Sequence, residues 1–135
     1  MSLPVVRDHT DAVLTALEAL GLEVGDAVAP NADPPYVVVY PIPGGGSTGT
    51  LAAQHDDAIL VYQVTCVGNS REQAEWLADK ALELLQGDLS VSGRRVCNVD
   101  LDMHGGVQRD DQVTPPIFSS MPRFRIITTP NGEES

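Results

Sequence analysis

Residues 58–87 read AILVYQVTCVGNSREQAEWLADKALELLQG, and their apolar spacing changes period once, at Ser70. From Ala58 to Val67 the pattern is that of a strand: Leu60, Tyr62, Val64 and Cys66 fall on one face, and Ile59, Val61, Gln63, Thr65 and Val67 on the other. After Ser70 the period becomes helical, with Ala74, Leu77, Ala78, Ala81, Leu82 and Leu85 in one stripe. Ser70 followed three residues later by Gln73 is a capping-box pair, and Gly87 is the expected stop. A strand running directly into an amphipathic helix predicts a sheet covered by helices.

Working outward, Val6, Val13, Leu14, Leu17 and Leu20 recur at helical spacing before Gly21, which predicts a first helix over 6–20. Tyr36-Val37-Val38-Val39-Tyr40 is β-branched and aromatic, is closed by Pro41 and Pro43, and is apolar on both faces. That predicts an interior strand, antiparallel to the one at 58–67. Arg94 to Met103 alternates, sending Cys97, Val99, Leu101 and Met103 to one side and Val96, Asn98, Asp100 and Asp102 to the other. A last strand is expected at Arg123–Thr129, with Phe124 and Ile126 facing in. The expected order is therefore α-β-β-α-β-β: an α+β fold with two helices on one face of a mostly antiparallel, four- to five-stranded sheet. Residues 1–130 read as a single domain and 131–135 as a polar tail, a size that suits one hydrophobic core.

Eight basic against nineteen acidic side chains give a formal charge of −11. Such a charge opposes adsorption to phosphate backbones or anionic lipid and argues against a nucleic-acid reader. No apolar run approaches the roughly 18 residues of a membrane span. The start, Met1 to Asp11, lacks the basic and apolar regions of a signal peptide, so the chain is expected to stay in the cytosol with Cys66 and Cys97 as buried, reduced thiols. Arg94 with Arg95, and Arg123 with Arg125, read as local salt-bridge partners.

Candidates for chemistry are few. Gly44 to Thr50 is glycine-rich, but Thr50 stands where a phosphate loop needs lysine and a strand follows where it needs a helix. A flexible surface loop is the simpler reading, with anion binding by a small regulatory module as its alternative. Asp100, Asp102 and His104 alternate on one strand face and could offer oxygen and nitrogen ligands to a divalent ion, as in a metal-dependent hydrolase. A solvated strand face is the simpler account, since alternation opposite Cys97, Val99 and Leu101 already explains the carboxylates and no second cluster completes a ligand set. No nucleophile elbow or reactive Cys-x-x-Cys is present. The expectation is a non-enzyme without metal or cofactor.

Two connections are long for so small a chain, 43–55 and 104–122. Structureless loops beyond about 12 residues are commonly functional or disordered, and here they are expected to reach other subunits. Within the second, Arg109, Asp110 and Asp111 are candidate interface residues. Arg123 and Arg125 are candidate intersubunit charge partners, and Trp76 is a candidate core or interface anchor.

The order of Pro34-Pro35-Tyr36-Val37-Val38-Val39, the glycine-rich excursion, Val61-Tyr62-Gln63-Val64-Thr65-Cys66-Val67-Gly68 and Ser70-Arg71-Glu72-Gln73-Ala74-Glu75 carries a family resemblance. Gly106-Val107-Gln108-Arg109-Asp110-Asp111, Pro115-Pro116-Ile117-Phe118 and Arg123-Phe124-Arg125 extend it over most of residues 5–130. The chain resembles the tail terminator, or tail completion, proteins of long-tailed phages, particularly those infecting actinobacteria. The resemblance implies a virion protein, assembled in the host cytoplasm into a hexameric ring at the head-proximal end of the tail. That ring would stop growth of the tail tube, contact the tail tube protein and offer a docking face to a head-tail connector protein. DNA would pass through its lumen without specific binding. A head-to-tail connector or a minor capsid component shares the same composition and stays open as an alternative.

Overall fold

The computed structural model describes residues 5–42 and 57–130. The expected loop at 43–55 and the polar tail at 131–135 lie outside the described residues. Helix α1 spans Val5–Leu17 and passes through a 3-10 turn at Glu18–Leu20 to Gly21, whose φ of 74° and N–H donated to the Glu18 carbonyl end it as expected. Strands β1 (Val24–Asp26), β2 (Tyr36–Pro41) and β3 (Ala58–Gly68) precede helix α2 (Arg71–Asp88). Strands β4 (Arg94–Met103), β5 (Val107–Asp110), β6 (Ile117–Ser120) and β7 (Arg123–Pro130) follow it.

The fold is α+β, with both helices on one face of a mixed sheet. Antiparallel pairs dominate, and β2 is interior as expected, between antiparallel β3 and a short parallel β1. The far edge of β3 is shared: Ala58–Gln63 pair with β7, and Cys66–Gly68 pair with β6. At the junction Val64 N donates to the Pro122 carbonyl at 3.0 Å. Strand β4 lies outside β7, and β5 lies outside β6.

Alternation holds through β3, so Tyr62, Val64 and Cys66 enter one core with Val37, Val39, Phe124 and Ile126. The helices close this core with Val13, Ala16 and Leu17 of α1 and Leu77, Ala78, Ala81 and Leu85 of α2. Each fully buried aliphatic or aromatic side chain contributes about 1.5–3 kcal/mol. The turn from β3 into α2 depends on Gly68, where an added Cβ would stand 2.9 Å from Ala74 N. Ser70 Oγ accepts from Gln73 N at 3.1 Å, capping the helix. The Gln73 side chain reaches back one residue further than the standard box, accepting from Asn69 N at 2.7 Å.

A buried polar cluster ties α1 to the sheet. His9 Nε2 and Thr128 Oγ1 are 2.7 Å apart, and Arg94 Nε donates to the same Thr128 oxygen at 2.8 Å. Thr10 donates its single hydroxyl proton to the Val6 carbonyl, so the Tyr62 hydroxyl, 2.9 Å away, donates to Thr10. Burial pushes the Tyr62 phenol above its ordinary pKa, while the Thr10 hydrogen bond pulls the other way.

Five expectations need correction. Residues 104–122 are not an irregular arm: β5 and β6 form a hairpin laid along β3. With β1, which is three residues long, they raise the described sheet to seven strands. Gly87 lies inside α2, which continues through Asp88 to an extended Leu89. Val6, placed in the apolar stripe of the first helix, is exposed. In β4, register shifts between Val96 and Asn98 and between Leu101 and Met103 break the simple alternation. The first leaves Cys97 without a cross-strand partner and exposed, whereas Cys66 is buried; both are free thiols.

Burial pushes the Cys66 thiol up from its ordinary 9.0 to about 12. Unfolded Cys66 therefore ionises first, and its contribution to stability is intact below about pH 9 and declines as pH rises toward 12. At pH 8, a thiol reagent should modify Cys97 rapidly and Cys66 only on unfolding. A fast phase that survives Cys97→Ser would show that Cys66 is accessible and the core wrongly placed.

Candidate functional site

The candidate residues fall on three surfaces that the fold keeps separate. The first is the β5–β6 hairpin. Arg109 on β5 lies opposite Phe118 on β6, with its guanidinium carbon 5.7 Å from the ring centroid, and its Nε is ion-paired with Asp111. Asp110 Oδ1 accepts from Gln112 N at 3.0 Å. All three candidates of this loop are exposed, and each is engaged within the hairpin itself.

The second surface is the sheet face turned away from the helices. Cross-strand partners point to the same side, so register places its residues. Met103, Arg123, Gln63 and Tyr40 form one row across β4, β7, β3 and β2. Asp100, Arg125 and Val61 form the next, and Asn98, Ile127 and Ile59 the one after. Arg125 Nη2 meets Asp100 Oδ2 at 3.3 Å, and Arg123 Nε donates to Gln63 Oε1 at 3.3 Å. Arg95 lies opposite Thr129 on the same face. Arg94, its neighbour, points inward to the Thr128 cluster, so the pair does not act together.

The third surface is the outer side of α2. Ala74, Leu77, Ala78, Ala81 and Leu85 are buried, and at about 100° per residue Trp76 points almost directly away from them. It is 52% exposed, with Lys80 Nζ 5.9 Å from its ring centroid. The core alternative for Trp76 is thereby removed. Helical spacing surrounds it with Glu72, Asp79 and Glu83.

The hydrolase alternative loses its geometry. The Asp100 carboxylate is taken by Arg125 and by Asn98 Nδ2 at 2.8 Å, and His104 Nδ1 accepts the Gly106 N–H at 3.3 Å. The second register shift of β4 also breaks the alternation that would align Asp100 with Asp102. Among the described residues no group of three or more His, Cys, Asp or Glu is arranged to hold a metal ion. A depression between α1 and the segment that joins α2 to β4 is lined by Asp8, Asp11, Thr15, Asp88, Ser90 and Ser92. Its polar lining consists of carboxylates and hydroxyls, with no histidine, lysine or arginine among the lining residues.

No family model and no curated protein matches the chain. Among solved structures, a chain from the virion of a native gene transfer agent (GTA) particle matches with a TM-score of 0.69. The alignment covers 94% of this chain and 98% of that one, at 19% identity. At this identity the likeness is one of fold, and it extends over nearly the whole of both chains.

The placement of Trp76 has a direct check in the isolated subunit. Trp76→Ala should change unfolding free energy by no more than about 0.5 kcal/mol, while Leu77→Ala, next to it but in the core, should cost about 2–5 kcal/mol. Equal losses from the two substitutions would make Trp76 a packing residue and remove it from the surface.

Proposed function

We propose that this chain is a structural subunit of a phage-like virion, and specifically a tail terminator. Copies would form a ring at the head-proximal end of the tail tube, stop its polymerisation and present a docking face for a head-tail connector protein. The observation that supports a virion subunit is the fold shared over 94% of this chain with a chain of a gene transfer agent virion. The sequence resemblance to tail terminators points the same way, and the exposed Trp76, Arg109, Arg123 and Arg125 suit a protein that works through contacts. The subunit count is proposed as six, in keeping with the resemblance.

A ring needs one patch pair per subunit, repeated by rotation until it closes. Polymerisation then stops because the terminal tube subunits are covered by a surface that cannot add another tube layer. The net charge of −11 suits a protein through which DNA moves, since an acidic wall opposes adsorption. The hairpin carrying Arg109, Asp110 and Asp111 stands at one end of the sheet path and is the proposed reach toward a tube or connector subunit.

The test is a tube-growth assay with the cognate tail tube protein. Adding this chain at amounts far below the tube subunits should arrest elongation, with electron micrographs showing extra density at one tube end only. Tubes that elongate unchanged, with the added chain free in solution, would contradict the terminator reading. Density on the portal side of separately purified heads, and none on tubes, would favour a head-to-tail connector.

A further inference from the structure

The outer side of α2 and the outer face of β4 and β7 differ in charge, although the chain as a whole is strongly acidic. Helix α2 bears Glu72, Glu75, Asp79, Glu83 and Asp88 against Arg71 and Lys80, and those two cations are already paired with Glu75 and Glu83. The outer sheet face, read from the register, bears Arg95, Arg123 and Arg125 against Asp100. Three of the eight basic residues of the chain thus gather on one face, on the side of the sheet opposite α2 and its carboxylates.

The same face has the side-chain make-up of a contact surface. Tyr36, Tyr40, Ile59 and Ile127 are half-buried there, and Met103 is 52% exposed. Aromatic residues, methionine and arginine are enriched at the centres of protein interfaces, while lysine and glutamate are depleted. The two helices of this chain lie on the opposite side, and on this face Val38, Val61 and Val67 are already buried, so its open part is the strip formed by Arg95, Met103, Arg123, Arg125 and Ile127 on β4 and β7. The outer side of α2 presents the complement: one exposed tryptophan ringed by Glu72, Asp79 and Glu83.

We infer that the two surfaces bind each other between copies, the outer side of α2 of one subunit seating on the outer sheet face of the next. Trp76 is the anchor, meeting the tyrosines and arginines of the neighbour, and the surrounding carboxylates face Arg95 and Arg123. The contact joins different patches on the two partners, so it propagates head to tail and closes into a ring when the rotation permits. It rests on the ring proposed above and assigns the surfaces that form it. Charge complementarity selects a second copy over nucleic acid, because phosphate would have to approach a chain of net charge −11.

Trp76 is the sole tryptophan, which makes its fluorescence a direct report. As the protein is concentrated from subunit to oligomer, the emission maximum should move to shorter wavelength and quenching by acrylamide should fall in step with the mass from sedimentation. Two charge-reversed variants complete the test: Glu72→Lys with Asp79→Lys on the helix, and Arg95→Glu with Arg123→Glu on the sheet, which leave the Arg125–Asp100 pair intact. Either variant alone should weaken assembly at least about tenfold, and mixing the two, or combining all four changes in one chain, should restore it. Circular dichroism of each variant checks the fold, and Trp76→Ala provides an independent loss of assembly without a charge change.

A ring that forms with Trp76 emission unchanged, and that tolerates both reversals, overturns this contact while leaving the ring standing. An emission shift that occurs only when tail tube protein is added assigns Trp76 to the tube and likewise overturns it. A chain that stays monomeric at all concentrations and with tubes present overturns the ring and the contact together.

Discussion

Strand β3 is 11 residues long, and two partners share its second edge. Strand β7 covers the first part and β6 the last, and the Val64–Pro122 hydrogen bond marks where one hands over to the other. Proline at that point supplies a carbonyl but no N–H, so one ladder hydrogen bond is absent while the register against β3 carries through from β6 to β7. The rest of the architecture follows from this division. The β7 branch carries β4 and the arginine-bearing outer face, while the β6 branch carries β5 and the exposed hairpin. Helix α2 packs across both, joined to β4 by the bond from Gln86 Nε2 to the Val99 carbonyl at 3.0 Å.

Much of this was legible because the central elements are long and their periods clean. Strand β3 and helix α2 together cover residues 58–88, and the change of period at Ser70 coincides with the hydrogen-bonded cap. The missed strands are short and lack the signal. Val107-Gln108-Arg109-Asp110 has one apolar residue in four, and Val24-Gly25-Asp26 spans three positions. Tertiary pairing against β6 and β2, not local propensity, makes them strands. The misplacement of Cys97 and Met103 has a similar origin: a register shift beside each breaks the alternation there, while Asn98 to Leu101 between the two shifts alternate as read.

The site was legible in its residues but not in its geometry. Trp76 was visible as an unusual residue, and its helical angle relative to Leu77 and Ala78 already separates it from the stripe. That Arg123 and Arg125 share a face with Met103, Tyr40 and Ile59 required the register of four strands. The long second connection suggested a free arm, yet its length is spent on a hairpin that is part of the sheet. Contact with neighbours is accordingly assigned to ordered surfaces, whose preorganisation lowers the entropic cost of assembly.

In the proposed ring, two opposed surfaces of one subunit, the acidic helix and the arginine-bearing sheet face, meet in alternation. A cryo-electron microscopy reconstruction of the protein bound to the end of a tail tube measures this most directly. The prediction is a closed ring in which the Trp76 indole of each copy lies against the strand face of its neighbour. A ring in which that strand face and Trp76 both point to solvent would contradict it.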